Sequence, residues 1–275
     1  MSTVKSRTLK GRRIVITRAA EQAKQLREGL EELGAEVLVL PLIRFLEVED
    51  KSDLDRAIRS LGDFDWLIFT SANAVTFFLG RCRALGVPAN NISGKIAAVG
   101  TATKSALNGE GLSASVVPAE FSGAALAREF GPLIEGKTVL LPRSDRASED
   151  LPAALGRAGA NVREVIAYRT ARPDTFDQRL VQAIRDGQVD AITFFSPSAF
   201  REFGNLMDTD FLRKLRALPA FAAVGPVTAQ AIRSAGLPVA IEAGEATTAS
   251  LLTALERHFA ALEMGQSQRT SRGSR

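Results

Sequence analysis

Short apolar, often β-branched runs alternate along the chain with stretches of helical periodicity. Residues 14–17, 37–40, 66–70, 96–99 and 115–117 read as strands, each bounded by Gly or polar turn residues. Between the first two lies a helix over residues 21–33. Ala23, Leu26, Leu30 and Leu33 fall on one stripe, charged residues lie opposite, and Gly34 stands as the stop. The same order recurs at residues 139–141, 162–166, 191–195, 221–224 and 239–241. Runs this short that stay apolar on both faces, joined by helices, predict parallel sheets with right-handed crossovers. The fold class is therefore α/β, with two similar five-stranded, flavodoxin-like units.

The recurrence is an ungapped internal duplication with an offset of 125. Ala97-Ala98-Val99-Gly100 matches Ala222-Ala223-Val224-Gly225, and Asp65 before one strand matches Asp190 before another. Gly11 to Arg18 matches Gly136 to Arg143, and Gly34-Ala35 matches Gly159-Ala160. The copies need not coincide with the domains. Residues 40–48 are unusually long and extended, and so are their mates 165–173, as two crossings between domains would be. That predicts one domain from residues 1–43 plus 172–262 and another from residues 48–166, with linkers at 44–47 and 167–171. A sequential split near residue 135 is the alternative.

Composition narrows the chemistry. The 275 residues carry a net charge of +4, but residues 1–13 hold five basic and no acidic side chains, and residues 264–275 hold three and none. The body between them is net acidic, which places the basicity in polar ends of disordered type, including a basic tail at 263–275, and argues against nucleic acid as a partner. One cysteine, Cys82, and one histidine, His258, exclude an internal disulfide and any Cys/His set for zinc or haem. No apolar segment follows the basic start, and no uncharged stretch reaches the ~20 apolar residues of a membrane span. A cytoplasmic, membrane-free monomer is expected. The fingerprints of dinucleotide sites, P-loops and nucleophile elbows are all absent.

What recurs at strand ends is small and hydroxylated: Thr70-Ser71-Ala72-Asn73, Gly100-Thr101-Ala102-Thr103, Phe195-Ser196-Pro197-Ser198 and Gly225-Pro226-Val227-Thr228, with Ser122 and Thr247-Thr248 ahead of later helices. Carboxyl ends of strands and helix N-termini suit anions; each such loop taken singly reads as an ordinary helix cap, but six of them on two facing domains point to a cleft for a polyanion. Arg18 and Arg143 are repeat mates just past the first strand of each copy; each is either a carboxylate ligand or a surface charge. Tyr168, the single tyrosine, lies in a crossing segment, where a phenol can donate a proton or simply pack.

Taken in order, Phe69-Thr70-Ser71-Ala72-Asn73-Ala74-Val75, Ala97 to Thr103, Pro142-Arg143-Ser144, Tyr168-Arg169-Thr170, Phe195-Ser196-Pro197-Ser198-Ala199 and Ala223 to Ala229 resemble the uroporphyrinogen-III synthase family over about residues 10–258. The resemblance implies two α/β domains joined by a two-stranded ladder that acts as a hinge. It also implies cyclisation of hydroxymethylbilane to uroporphyrinogen III, with loss of water and inversion of ring D through a spirocyclic pyrrolenine, without metal or cofactor. The bilane carries eight carboxylates and would come from hydroxymethylbilane synthase. On this resemblance Tyr168 assists departure of the hydroxyl. Arg18, Ser71, Ala72, Asn73, Thr101, Thr103, Ser122, Arg143, Ser196, Ser198 and Thr228 form the substrate-binding set. Ser144 departs from the glycine expected there. The rival readings are an anion-binding sensor and a regulatory domain on the same fold.

Overall fold

The computed structural model describes residues 7–118, 123–214, 219–245 and 247–272. Its strands are β1 (Arg13–Ile16), β2 (Glu36–Val39), β3 (Arg44–Leu46), β4 (Trp66–Phe69), β5 (Lys95–Ala98), β6 (Thr138–Ser144), β7 (Asn161–Ala171), β8 (Ala191–Phe194), β9 (Ala220–Val224) and β10 (Ile241–Ala243). They form two five-stranded sheets, in the orders β10-β9-β8-β1-β2 and β3-β7-β6-β4-β5. The pairings β1 with β2 and β8, and β9 with β8 and β10, are parallel, as are those of β4 with β5 and β6 and of β6 with β7. The chain divides into two compact units, residues 1–44 with 172–275 and residues 45–171.

The duplication survives as interactions. Asp190 accepts the backbone N–H of Arg13 at 2.8 Å and Arg12 Nη1 at 3.2 Å. Its mate Asp65 accepts the N–H of Thr138 at 2.9 Å and Lys137 Nζ at 3.2 Å. In both units an aspartate just before one strand thus fixes the start of its neighbour. Arg44 likewise meets Asp174 with both Nη atoms, and the repeat mates Arg169 and Glu49 are paired too.

Alternation along each strand feeds both faces of its sheet, as a doubly covered parallel sheet requires. In the first unit Ile14 and Ile16 pack with Leu26, Leu30, Leu251 and Leu255, while Val15 packs on the opposite face with Ile192, Phe194, Phe203 and Phe221. In the second, Ile68 and Trp66 meet Phe130 and Ile134 on one face; Leu67 and Phe69 meet Phe78 and Val75 on the other.

Three expectations need correction. Residues 115–117 form only a single bridge, Ala97 to Val116; Pro118 follows and has no N–H to extend a ladder. The fifth strand of that sheet is instead β3, on the far side of β7. The last helix runs Thr248–Arg272, so residues 263–272 continue it rather than forming a disordered tail, and His258 lies within it. Glu263, Met264, Gln266, Gln268, Arg269 and Arg272 favour helix in this extension and outnumber Gly265, Ser267, Thr270 and Ser271, which favour it less. The N-terminal end is not wholly a free tail either: Leu9 is fully buried against Ile14 and Leu30, and Thr8 donates to Glu256 at 2.8 Å. Among the described residues no helix is long and apolar enough to cross a membrane.

Candidate active site

In an open parallel sheet the ligand edge is the carboxyl end of the strands, at the point where strand order reverses. In the first unit that point lies between β1 and β8, and in the second between β6 and β4. The segments leaving these strands begin with Thr17-Arg18, Phe195-Ser196, Asp145 and Thr70-Ser71.

In the second unit Ser71 caps the helix Ala72–Ala84, accepting the N–H of Ala74 at 3.1 Å. Its Oγ also lies 3.1 Å from the hydroxyl of Tyr168. Residues 71 and 168 meet because β7, β6 and β4 are neighbours in the sheet. The ring of Tyr168 is buried, stacked on Phe77 at 5.3 Å between centroids and met edge-on by Phe45 at 5.7 Å. Beside it a register shift between Arg143 and Ser144 brings Ser144 opposite Tyr168. Ser144 Oγ lies 2.9 Å from Thr170 Oγ1, and Asp145 accepts the N–H of Thr170 at 2.8 Å. Ala72 and Asn73 open the helix half-buried. At the end of β5, Thr101 starts the helix Thr101–Gly109 exposed, while Thr103 is buried and donates to the carbonyl of Val99 at 2.8 Å.

Arg143 departs from the anion-ligand reading. Its guanidinium is 4% exposed, paired with Glu164, donating to the carbonyl of Ser148 at 2.6 Å and lying 3.3 Å from Glu149. A buried arginine needs such partners, and with both Nη atoms engaged it is structural. The Oγ of Ser71 already serves Ala74 and Tyr168.

Arg18, the repeat mate, is placed differently. It is half-buried with its guanidinium 4.4 Å above the ring of Phe195, and no carboxylate among the described residues pairs with it. Burial lowers its pKa from the ordinary arginine value. The reason for the contrast can be read from the repeat: the position of Glu164 is Val39 in the first copy. Ser196 caps the helix Pro197–Met207, accepting the N–H of Ala199 at 3.2 Å, and its Oγ lies 3.0 Å from that of Ser198. Thr228 is buried in the first turn of the helix Pro226–Ser234, whose N-cap Gly225 has φ +81, a conformation that favours glycine. Its mate Gly100 has φ +94.

The structure thus brings Tyr168 together with Ser71, and Arg18 together with the loop of Ser196 and Ser198. Ser122 lies outside the described residues. Sequence reasoning missed Phe77 and Phe45 around the phenol, Phe195 under Arg18, and Glu164. Of these, only Glu164 left a signal, as an acid facing a valine across the repeat. Among the described residues no group of three or more His, Cys, Asp or Glu side chains stands together as a metal site would need.

A family model described as uroporphyrinogen-III synthase HemD matches residues 24–253. A uroporphyrinogen-III synthase of Synechococcus elongatus is 32% identical over 252 residues, covering 90% of this chain and 95% of that protein. Among solved structures, a mutant uroporphyrinogen III synthase from Thermus thermophilus superposes with a TM-score of 0.63 at 20% identity, covering 91% of this chain and all of that one. A uroporphyrinogen-III synthetase from Helicobacter pylori gives 0.59 at 19% identity, covering 88% and 97%. At these identities the structural likeness concerns the fold alone.

Proposed function

Because the chain belongs to the uroporphyrinogen-III synthase family, enzymes of tetrapyrrole biosynthesis, we propose that it cyclises hydroxymethylbilane to uroporphyrinogen III with inversion of ring D. The observation that carries this is Arg18. A guanidinium held over Phe195, partly desolvated and without a carboxylate among the described residues, sits at the ligand edge of its sheet. That arrangement is stabilised by an anion from outside the fold, and the bilane carries eight carboxylates.

The bilane is reactive by itself. Its terminal hydroxyl leaves as water once protonated, giving an azafulvene whose exocyclic carbon is the electrophile. The substituted carbon of ring D attacks that carbon, forming the spirocyclic pyrrolenine; ring D then detaches from its old bridge and rejoins inverted, and a proton is lost. The protein's work in this scheme is to fold the chain so that the substituted carbon attacks, which is control by orientation. Tyr168 is assigned proton donation to the departing hydroxyl. Arg18, Thr101, Ser196, Ser198, Thr228 and the backbone amides of Ala72 and Asn73 are assigned to carboxylates, with the N-termini of their helices adding favourable dipole ends. Thr103 contributes the amide of its helix turn, its hydroxyl proton being donated to Val99. A cytoplasmic monomer taking its substrate from hydroxymethylbilane synthase belongs to the same reading.

The deciding experiment generates hydroxymethylbilane in situ, adds the protein, oxidises the products and separates the type I and type III uroporphyrin isomers. Predominant type III is the expected result. Type I alone, as in a blank, would refute the proposal.

A further inference from the structure

Resting on that reading, we propose that Ser71 is a positioning residue which donates its hydroxyl proton to the oxygen of Tyr168, so that the phenol's own O–H is left pointing at the substrate. A serine hydroxyl has one proton to give and two lone pairs to receive with. Ser71 Oγ receives the N–H of Ala74 at 3.1 Å as the cap of its helix, which fixes the rotamer and uses one lone pair. Its proton remains, and the acceptor in reach is Tyr168 Oη at 3.1 Å.

The alternative polarity, Tyr168 donating to Ser71, would consume the phenol's single proton inside the protein. It would also leave the serine proton without an acceptor among the hydrogen bonds of the described residues. The donor assignment satisfies both groups and keeps the tyrosine available as an acid.

One helix controls both ends of the phenol. The cap residue of the helix Ala72–Ala84 meets the hydroxyl, and Phe77 of the same helix stacks on the ring, nearly parallel at 20°. Phe45 closes on the ring edge-on at 76°. With ring and oxygen fixed by one rigid element, the remaining freedom is rotation of the phenolic O–H about its C–O bond. A hydrogen bond received from Ser71 selects the orientation that faces away from it. This is preorganisation of an acid by a neighbour that never touches the reacting atoms.

Tyr168 is the chain's single tyrosine, so the tyrosine Fermi doublet in the Raman spectrum reports on this hydroxyl alone and needs no turnover. In the unmodified protein the doublet is expected to read a phenol that accepts a hydrogen bond. In Ser71→Ala it should shift towards the donor or water-exposed pattern, and Ser71→Thr, which keeps hydroxyl and cap, should restore it. In the isomer assay Ser71→Ala should lower kcat about tenfold, the worth of one hydrogen bond, with KM nearly unchanged, and Ser71→Thr should recover it. A residue serving only as a helix cap would lower thermal stability and leave doublet and kcat alone. A doublet showing Tyr168 as a donor in the unmodified protein, or one unmoved by Ser71→Ala, overturns the proposal. Should the unmodified protein make only type I isomer, the catalytic reading fails while the Raman result still decides the polarity of this hydrogen bond.

Discussion

The contrast between Arg18 and Arg143 yields opposite predictions for two residues that the duplication makes equivalent. Arg18→Gln removes a guanidinium that has a ring beneath it and no internal carboxylate among the described residues. On the proposed function, what is lost is a contact with ligand. One charge-assisted hydrogen bond contributes about 1.5–3 kcal/mol, so kcat/KM for type III formation should fall between about tenfold and about a hundredfold. The carboxylates are held equally before and during ring closure, so the loss should appear in KM with kcat little changed. Arg18→Lys, which keeps the charge and gives up the planar fork, should fall between. Arg143→Gln should do the reverse. It strands Glu164 beside a buried amide, and because the Glu164 side chain is 35% exposed the usual cost of breaking a buried pair is discounted to about 1–3 kcal/mol. That should lower Tm by a few degrees and leave KM alone. Initial rates of type III formation across a bilane concentration series, with thermal melts of the same preparations, measure both. An Arg18→Gln protein with unaltered KM would refute the reasoning, since the desolvated cation would then have no anionic ligand to lose.

Further expected outcomes follow from the same geometry. Tyr168→Phe keeps the ring between Phe77 and Phe45 but removes the donor, so kcat should drop by at least about a hundredfold with little change in melting temperature; full kcat would end the acid assignment. Phe194→Ala empties a fully buried site ringed by Phe200, Phe203 and Phe221 and should cost about 3–5 kcal/mol, read from the denaturant midpoint. Gly225→Ala forces a side chain into φ +81 at the N-cap beside Thr228 and should cost about 1–2 kcal/mol, seen in the melt. The paired hydrogen bonds from Arg81 hold the Asp55 carboxyl below its usual range, and the N–H of Thr138, with Lys137, does the same for Asp65. A depressed carboxyl stabilises above its unfolded pKa of about 3.9 and loses that contribution as pH falls through the folded value. Asp55→Asn and Asp65→Asn should therefore flatten the acid side of a Tm-against-pH curve and lower Tm at neutral pH.

Most strands and the duplication were legible because short runs apolar on both faces and a fixed offset of 125 recur along the chain; residues 115–117 and β3 were the exceptions. The matched long segments 40–48 and 165–173 contain the two points at which the chain passes from one unit to the other, after residues 44 and 171. The phenol's environment left no such signal. Ser71 and Tyr168 are 97 positions apart and meet only because β6 lies between β4 and β7 in the sheet, an order that no local pattern encodes. Phe77 reads from sequence as one more core residue of a helix, which it also is. The arginines illustrate a deeper limit. Sequence gave them identical standing, each after the first strand of its copy, yet a buried guanidinium must be satisfied by something. Glu164 satisfies Arg143 from within; Val39, at the same place in the other copy, cannot do so for Arg18. Duplication supplies two equal cations, and one neighbouring position decides which is satisfied within the fold and which, on the proposed function, is left for a ligand. Candidate residues in a duplicated fold are therefore better weighed by what stands beside them than by the motif they share.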